Sequence, residues 1–291
     1  MRELRGRTAV VTGAASGIGR ALAAAFGAEG CRVVLADVEE AALSAAADEL
    51  RAAGVDCRAV VTDVADPASV DRLAREARAA YGAVHILCNN AGVSIRKPLA
   101  EQTLDDWTWV LGVDLWGVIH GLRAFLPELT AQPEAHVVNT ASVAGLVPFQ
   151  LGGPYNAAKA AVVAISETLH LELAERAPHV GVSVLCPGAT RSNFVSSARN
   201  RPAHLGAAVA PASDDPRDGI SRALIAGGME PAAVAARVVD AIRDRTFWVL
   251  THRDEYGPAI RARTEAMLTG ADPRPVDIAA ILDRQENAKP A

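Results

Sequence analysis

TAVVTGAASGIGRALAAAFGAEG, residues 8–30, decides how the rest of the chain reads. The run from Thr8 to Thr12 is apolar and β-branched, which predicts a buried strand. Gly13, Gly17 and Gly19 follow as a turn, and RALAAAFGAEG then has helical composition. A strand, a glycine turn and a helix in that order let the backbone approach a pyrophosphate. The helix N-terminus adds free amides and the positive end of its dipole. Glycines also end helices and make tight turns, so the strand before and the helix after are what make this a nucleotide site. Gly13, Ser16, Gly17, Ile18 and Gly19 are the candidate phosphate cradle.

Working outward, the next apolar run, CRVVLAD, ends in Asp37, about twenty residues past the turn. A carboxylate there accepts hydrogen bonds from adenosine ribose hydroxyls and repels a 2′-phosphate. Val38 follows it, and Ser16 rather than a lysine or arginine stands in the glycine loop, so the residues favour NAD over NADP. Asp37 also suits the N-cap of the helical run EEAALSAAADELRAAG, and an aspartate can serve both purposes. A third strand, 56–61, leads to Asp63 and Val64 and to a helix opened by Asp66 and Pro67. Asp63 has two readings, contact with the adenine ring or a turn cap. VHILCNNAG then runs into Asn90, Ala91 and Gly92, small residues against which a cofactor can lie. Strands alternating with helices predict a single doubly wound α/β domain, a parallel sheet with helices on both faces.

A second stretch, NTASVAGLVPFQLGGPYNAAK (139–159), carries the candidate chemistry. Tyr155 and Lys159 are four residues apart in a helical segment and share one face. Ser142 ends the strand-like HVVNTAS. A phenol is a poor base at neutral pH, but a nearby ammonium stabilises the phenolate and lowers its pKa. A tuned tyrosine can take the proton of an alcohol, or return one to a ketone, while Ser142 holds the same oxygen. The bland reading is a surface tyrosine and lysine at an ordinary helical spacing.

The chain has 291 residues, 50% hydrophobic and 22% charged, with net charge −5. That balance and the lack of a basic cluster argue against nucleic acid. Cys31, Cys57, Cys88 and Cys186 form no CxxC pair and predict buried free thiols. Neither these nor the seven histidines have metal-ligand spacing, so no metal is expected. WTWVLGVDLWGVIHGLRAFLP carries Asp114, His120 and Arg123 and reads as a packed helix rather than a membrane span. With MRELRGR leading directly into the first strand, no signal peptide is expected and the cytoplasm is the default location.

Together, TGAASGIG (12–19), Asp63-Val64, Asn89-Asn90-Ala91-Gly92, Ser142 with Tyr155 and Lys159, and Pro187-Gly188 resemble the short-chain dehydrogenase/reductase family over roughly residues 5–195. The resemblance implies a single-domain Rossmann fold with a seven-stranded sheet, an NAD(P) cofactor, hydride transfer at a carbinol or carbonyl carbon, and a homodimer or homotetramer. It implies that Lys159 also holds the nicotinamide ribose. Ser192 stands where the family commonly has a threonine near the nicotinamide amide, and Thr190 where it is usually apolar, so either hydroxyl is a candidate. One departure is Asp114, where the family usually has an asparagine that helps hold a water linking the lysine to solvent. An aspartate keeps the backbone role, and its charge can pair with Lys159.

Residues 193–229 lose regular patterning. In the family this insertion covers the substrate, and Phe194, Leu205, Val209, Ile220 and Leu224 permit a medium-sized apolar one. Order returns with the helix AAVAARVVDAIRDR, the strand TFWVLTH and an amphipathic EYGPAIRARTEAMLTG. The extension 252–291 includes a further helical stretch, VDIAAILDRQ, and either closes the substrate pocket, packs on a neighbouring subunit or frays. The expected activity is NAD-dependent oxidation of an apolar secondary alcohol or reduction of its ketone. The alternatives are an NADP-linked carbonyl reductase and a noncatalytic dinucleotide sensor.

Overall fold

The computed structural model describes residues 1–206, 223–279 and 281. Seven strands, β1 (Thr8–Thr12), β2 (Arg32–Asp37), β3 (Cys57–Val61), β4 (Ile86–Asn89), β5 (Ala135–Thr140), β6 (Val180–Cys186) and β7 (Trp248–Leu250), form one sheet in the order β3-β2-β1-β4-β5-β6-β7. Every neighbouring pair is parallel. A parallel sheet needs a crossover between strands, and helices α1 (Gly17–Ala28), α2 (Glu40–Ala52), α3 (Pro67–Tyr81), α4 (Leu104–Leu111), α5 (Gly117–Thr130), α6 (Gly153–Arg176) and α7 (Pro231–Asp244) supply them.

Strand alternation divides the core. Val11, Val33 and Leu35 point to one face, where Leu22 and Phe26 of α1, Leu43 of α2 and Ile242 of α7 cover them. Val10, Val34 and Leu87 point to the other, under Leu73 of α3, Phe125 of α5 and Leu169 of α6. Strands buried on both faces read as continuous apolar runs, which is why they were legible.

The order reverses between β1 and β4, so their carboxyl ends open a crevice. Thr12 closes its floor: its hydroxyl oxygen accepts the amides of Asn90 (2.9 Å) and Ala91 (3.1 Å), and its carbonyl accepts the Asn90 side chain (2.9 Å). Gly13, at φ +68°, turns the chain away from β1, and a Cβ there would lie 2.9 Å from the Ala91 Cα.

The helix expected over 107–127 starts earlier. A Thr103–Asp106 capping box opens α4, a π-helical turn over Gly112–Trp116 interrupts the run, and α5 completes it. Leu104–Thr130 is long and apolar enough to cross a membrane, and Val110, Phe125 and Leu129 are buried in the core. The last described helix, α8 (Arg253–Thr269), begins before the expected stretch. It is barely amphipathic in place: Tyr256 alone is fully buried, while Met267 and Leu268 are exposed. All four cysteines are buried free thiols. Val209, Ile220 and, within VDIAAILDRQ, residues 280 and 282–285 lie outside the described residues.

Candidate active site

A cavity of about 980 Å³ runs from the glycine turn past the ends of β1, β4, β5 and β6. At one end, Ser16 is the N-cap of α1 but makes no side-chain cap, and no acidic residue stands in the first turn. The helix amides and dipole are thus left for an anion. Asp37 ends β2 beside this turn. Its Oδ2 accepts the Ala15 amide at 2.9 Å and its Oδ1 the Glu39 amide at 3.1 Å. Each carboxylate oxygen keeps a second lone pair for a ribose hydroxyl. The N-cap of α2 is Glu39 rather than Asp37. Burial pushes the Asp37 carboxyl up, against those amides.

The other expected cofactor residues divide by what their side chains already do. Asp63 caps its own turn, accepting the Ala65 amide at 2.9 Å, while Val64 is buried beside it; both border the cavity. Asn90 spends its amide group on Thr12 and accepts from Thr140, so its side chain stitches three strands together. Gly92 leaves room for the neighbouring Lys159 and Asp114. Thr190 donates to the Gly188 carbonyl at 3.2 Å, and Ser192 caps the turn Asn193–Asn200. Ser192 also packs against Gly17, at the phosphate turn.

At the far end Ser142, Tyr155 and Lys159, the candidate reactive residues, meet. Ser142 lies two residues past the end of β5 and caps a short turn, Val143–Gly145, that lies directly on α6. A Cβ at Gly145 would stand 2.5 Å from the Lys159 carbonyl oxygen, so only glycine lets Ser142 approach the helix this closely. Tyr155 and Lys159 sit one turn apart on α6, with the ammonium 5.5 Å from the phenol ring centroid and donating to the Thr140 carbonyl at 3.0 Å. Phe194, in the turn after Ser192, lies against Tyr155, ring centroids 5.5 Å apart.

Asp114 lies in the π turn, fully buried. Its Oδ1 accepts the Val93 amide at 2.7 Å, and its Oδ2 stands 3.2 Å from the Lys159 ammonium, without hydrogen-bond geometry. Burial pushes the Asp114 carboxyl up, and Lys159 draws it partly back. Burial pulls the Lys159 ammonium down, but Asp114 and then Tyr155 raise it above its ordinary value. For Tyr155, burial raises the phenol pKa, Lys159 lowers it, Asp114 raises it and a hydrogen bond with Ser142 lowers it; the net direction is up. Here the structure corrects the sequence expectation. Lys159 pulls as expected, but burial and the Asp114 charge outweigh it.

Several contributors carried no sequence signal. His252 and Tyr256 pack under the Pro187-Gly188 loop, where a Cβ on Gly188 would meet either ring within 2.8 Å. Buried Asp106 holds the partly buried Lys97 (2.9 Å) and, from just past the turn Asn193–Asn200, Arg201 (2.7 Å). Burial pushes its carboxyl up, but Lys97, the Thr103 amide and Arg201 pull it further down, to about 2. The capping box was readable in TLDD; a partner 95 positions away was not.

The family profile described as short chain dehydrogenase matches residues 7–203, which contain the turn, Asp37, Asp114, Ser142, Tyr155 and Lys159. The chain belongs to the short-chain dehydrogenase family. Among its solved relatives is a short chain dehydrogenase/reductase from Burkholderia phymatum in complex with NAD, 41% identical, superposing with a TM-score of 0.91 over 94% of this chain and 98% of that one. A C alpha-dehydrogenase from Sphingobium sp. is 31% identical over 98% of this chain and 93% of its own length. A 1-deoxy-11-beta-hydroxypentalenate dehydrogenase from Streptomyces avermitilis is 43% identical over 64% of this chain and 69% of its own. This short-chain dehydrogenase is an oxidoreductase with a Rossmann sheet.

Proposed function

We propose that this short-chain dehydrogenase moves a hydride between NAD(H) and an apolar secondary alcohol or its ketone. The observation that carries the reading is one cavity with the uncapped α1 N-terminus and Asp37 at one end and Ser142, Tyr155 and Lys159 at the other. The residues fit a dinucleotide. The amides of Gly17, Ile18 and Gly19 would take the pyrophosphate, Asp37 the adenosine ribose, Lys159 the nicotinamide ribose, and Ala91, Gly92 and Pro187-Gly188 the faces of the group. When bound, the nicotinamide accepts or gives the hydride.

The chain's own part is to place and protonate an oxygen. Ser142 Oγ hydrogen-bonds the substrate oxygen and fixes it near the Tyr155 hydroxyl. Tyr155, its pKa above the ordinary phenol value, carries its proton at neutral pH and donates it to a ketone; in the other direction it must first lose that proton. Lys159 supports the phenolate, and Asp114 restrains that support by taking part of the ammonium's field.

An apolar substrate is supported by Trp109, Phe149, Phe194, Leu224 and Tyr256 around the reacting end. In this reading the turn Asn193–Asn200 is a lid over the substrate and the described part of the C-terminal extension borders the same space, since Phe194 and Val276 both line the cavity. The names of the Sphingobium and Streptomyces relatives, both dehydrogenases, fit the same chemistry. The test is absorbance-monitored turnover with NAD and NADP across a panel of secondary alcohols, with Tyr155→Phe beside it. Loss of about 10²–10⁴-fold in turnover with NADH binding kept is expected. Unchanged turnover in Tyr155→Phe would remove the tyrosine from the chemistry.

A further inference from the structure

The lid carries a cation to the adenosine end of the cavity. Arg199 and Asn200 lie at the end of the lid turn Asn193–Asn200 and meet Glu39, two residues past Asp37 and 160 positions away from Arg199 in sequence. Glu39 Oε2 accepts from Arg199 Nε at 3.1 Å, and Oε1 accepts from Arg199 Nη2 at 2.5 Å and from Asn200 Nδ2 at 2.9 Å. The other guanidinium nitrogen, Nη1, donates to the Asn193 carbonyl (3.3 Å), the Ser196 carbonyl (2.9 Å) and the Ser196 hydroxyl (3.0 Å). The arginine is therefore held in place by its own turn, and Glu39 takes the Nε–Nη2 fork.

The other described cations bordering the cavity stand elsewhere. Lys159 is at the reacting end, Lys97 is bound to Asp106, and Arg96 belongs with Lys97 to the loop after β4. The Nε–Nη2 fork matches a carboxylate and a phosphate equally well, because both offer two oxygens in one plane. We propose that Glu39 is a second determinant of cofactor choice: by occupying the fork of Arg199, it withholds from the adenosine end the guanidinium that would otherwise bind a 2′-phosphate.

The proposal rests on Asp37 as the ribose partner, so the experiment separates the two carboxylates. NADH and NADPH are titrated by fluorescence into the wild type, Asp37→Ser, Asp37→Ser with Glu39→Gln, and that pair with Arg199→Met added. Removing Glu39 in the Asp37→Ser background should tighten NADPH about tenfold, the worth of one charge-assisted contact, and change NADH affinity by much less. Adding Arg199→Met should return NADPH to the starting affinity. No gain on removing Glu39, or a gain that survives Arg199→Met, overturns the proposal while leaving the dinucleotide site standing. Failure of the wild type to bind NADH would overturn both. Glu39→Gln alone, which keeps Asp37, supplies a second readout: its NADPH-to-NADH affinity ratio rises above that of the wild type, and stays unchanged if Arg199 is no phosphate partner.

Discussion

The Asp114–Lys159 pair is where single residues bear most directly on the chemistry. A buried carboxylate 3.2 Å from the ammonium weakens the help that Lys159 gives to the tyrosine. Asp114→Asn removes a negative charge that raises the Tyr155 pKa, so the alkaline rise of alcohol oxidation should move to lower pH. A pH profile of turnover with saturating NAD checks this, and an unmoved profile would deny Asp114 any electrostatic part. The same pair shows what residue patterns hide. YxxxK and the serine were visible, and so was a possible Asp114–Lys159 contact, but whether burial or the ammonium wins at Tyr155 depends on solvent exclusion. No spacing encodes that.

At the scale of elements, the capping box of α4 doubles as the anchor of the chain just past the turn Asn193–Asn200. Asp106 has its carboxyl pKa lowered to about 2 by Lys97, the Thr103 amide and Arg201, against an opposing push from burial. A lowered carboxylate pKa stabilises the fold above the unfolded-state value and loses that contribution as pH falls. The loss should run from about pH 4 down to about pH 2. Asp106→Asn takes the carboxylate from two partly buried cations and should cost about 2 kcal/mol at neutral pH, measured by denaturant unfolding. It should also flatten stability between those pH values. Gly13 tests the phosphate turn in the same way. Gly13→Ala puts a Cβ 2.9 Å from the Ala91 Cα at a positive φ, so the β1 and β4 loops must part. NADH affinity should fall by about tenfold or more, a loss of at least about 1.4 kcal/mol of binding free energy. Helix and strand identities were legible because apolar periodicity is local. The π turn at Gly112–Trp116 was not, since packing of α4 and α5 around the site decides it.

Across the whole molecule, the two ends of the cavity differ in how they are built. The residues matched by the family profile end at 203, whereas Leu224, Tyr256 and Val276, at the reacting end, come later in the chain. A protein ended after Gly270 should therefore keep NADH affinity and raise KM for an apolar alcohol by about tenfold, as expected for loss of roughly 1–2 kcal/mol of apolar contact. Equal loss of both would show that the extension supports the fold rather than the pocket. The sequence by itself determined the sheet and its glycine turn, because buried parallel strands must be continuously apolar and a pyrophosphate needs bare backbone. It also determined the order in which Asp37, Ser142, Tyr155 and Lys159 appear. Only the tertiary structure decided that Glu39 meets Arg199, that Asp106 meets Arg201, and that His252 and Tyr256 support Gly188. These contacts join segments 64 to 160 positions apart, and charge pairing and ring packing between such segments depend on where the fold brings the chain back, which no local pattern records.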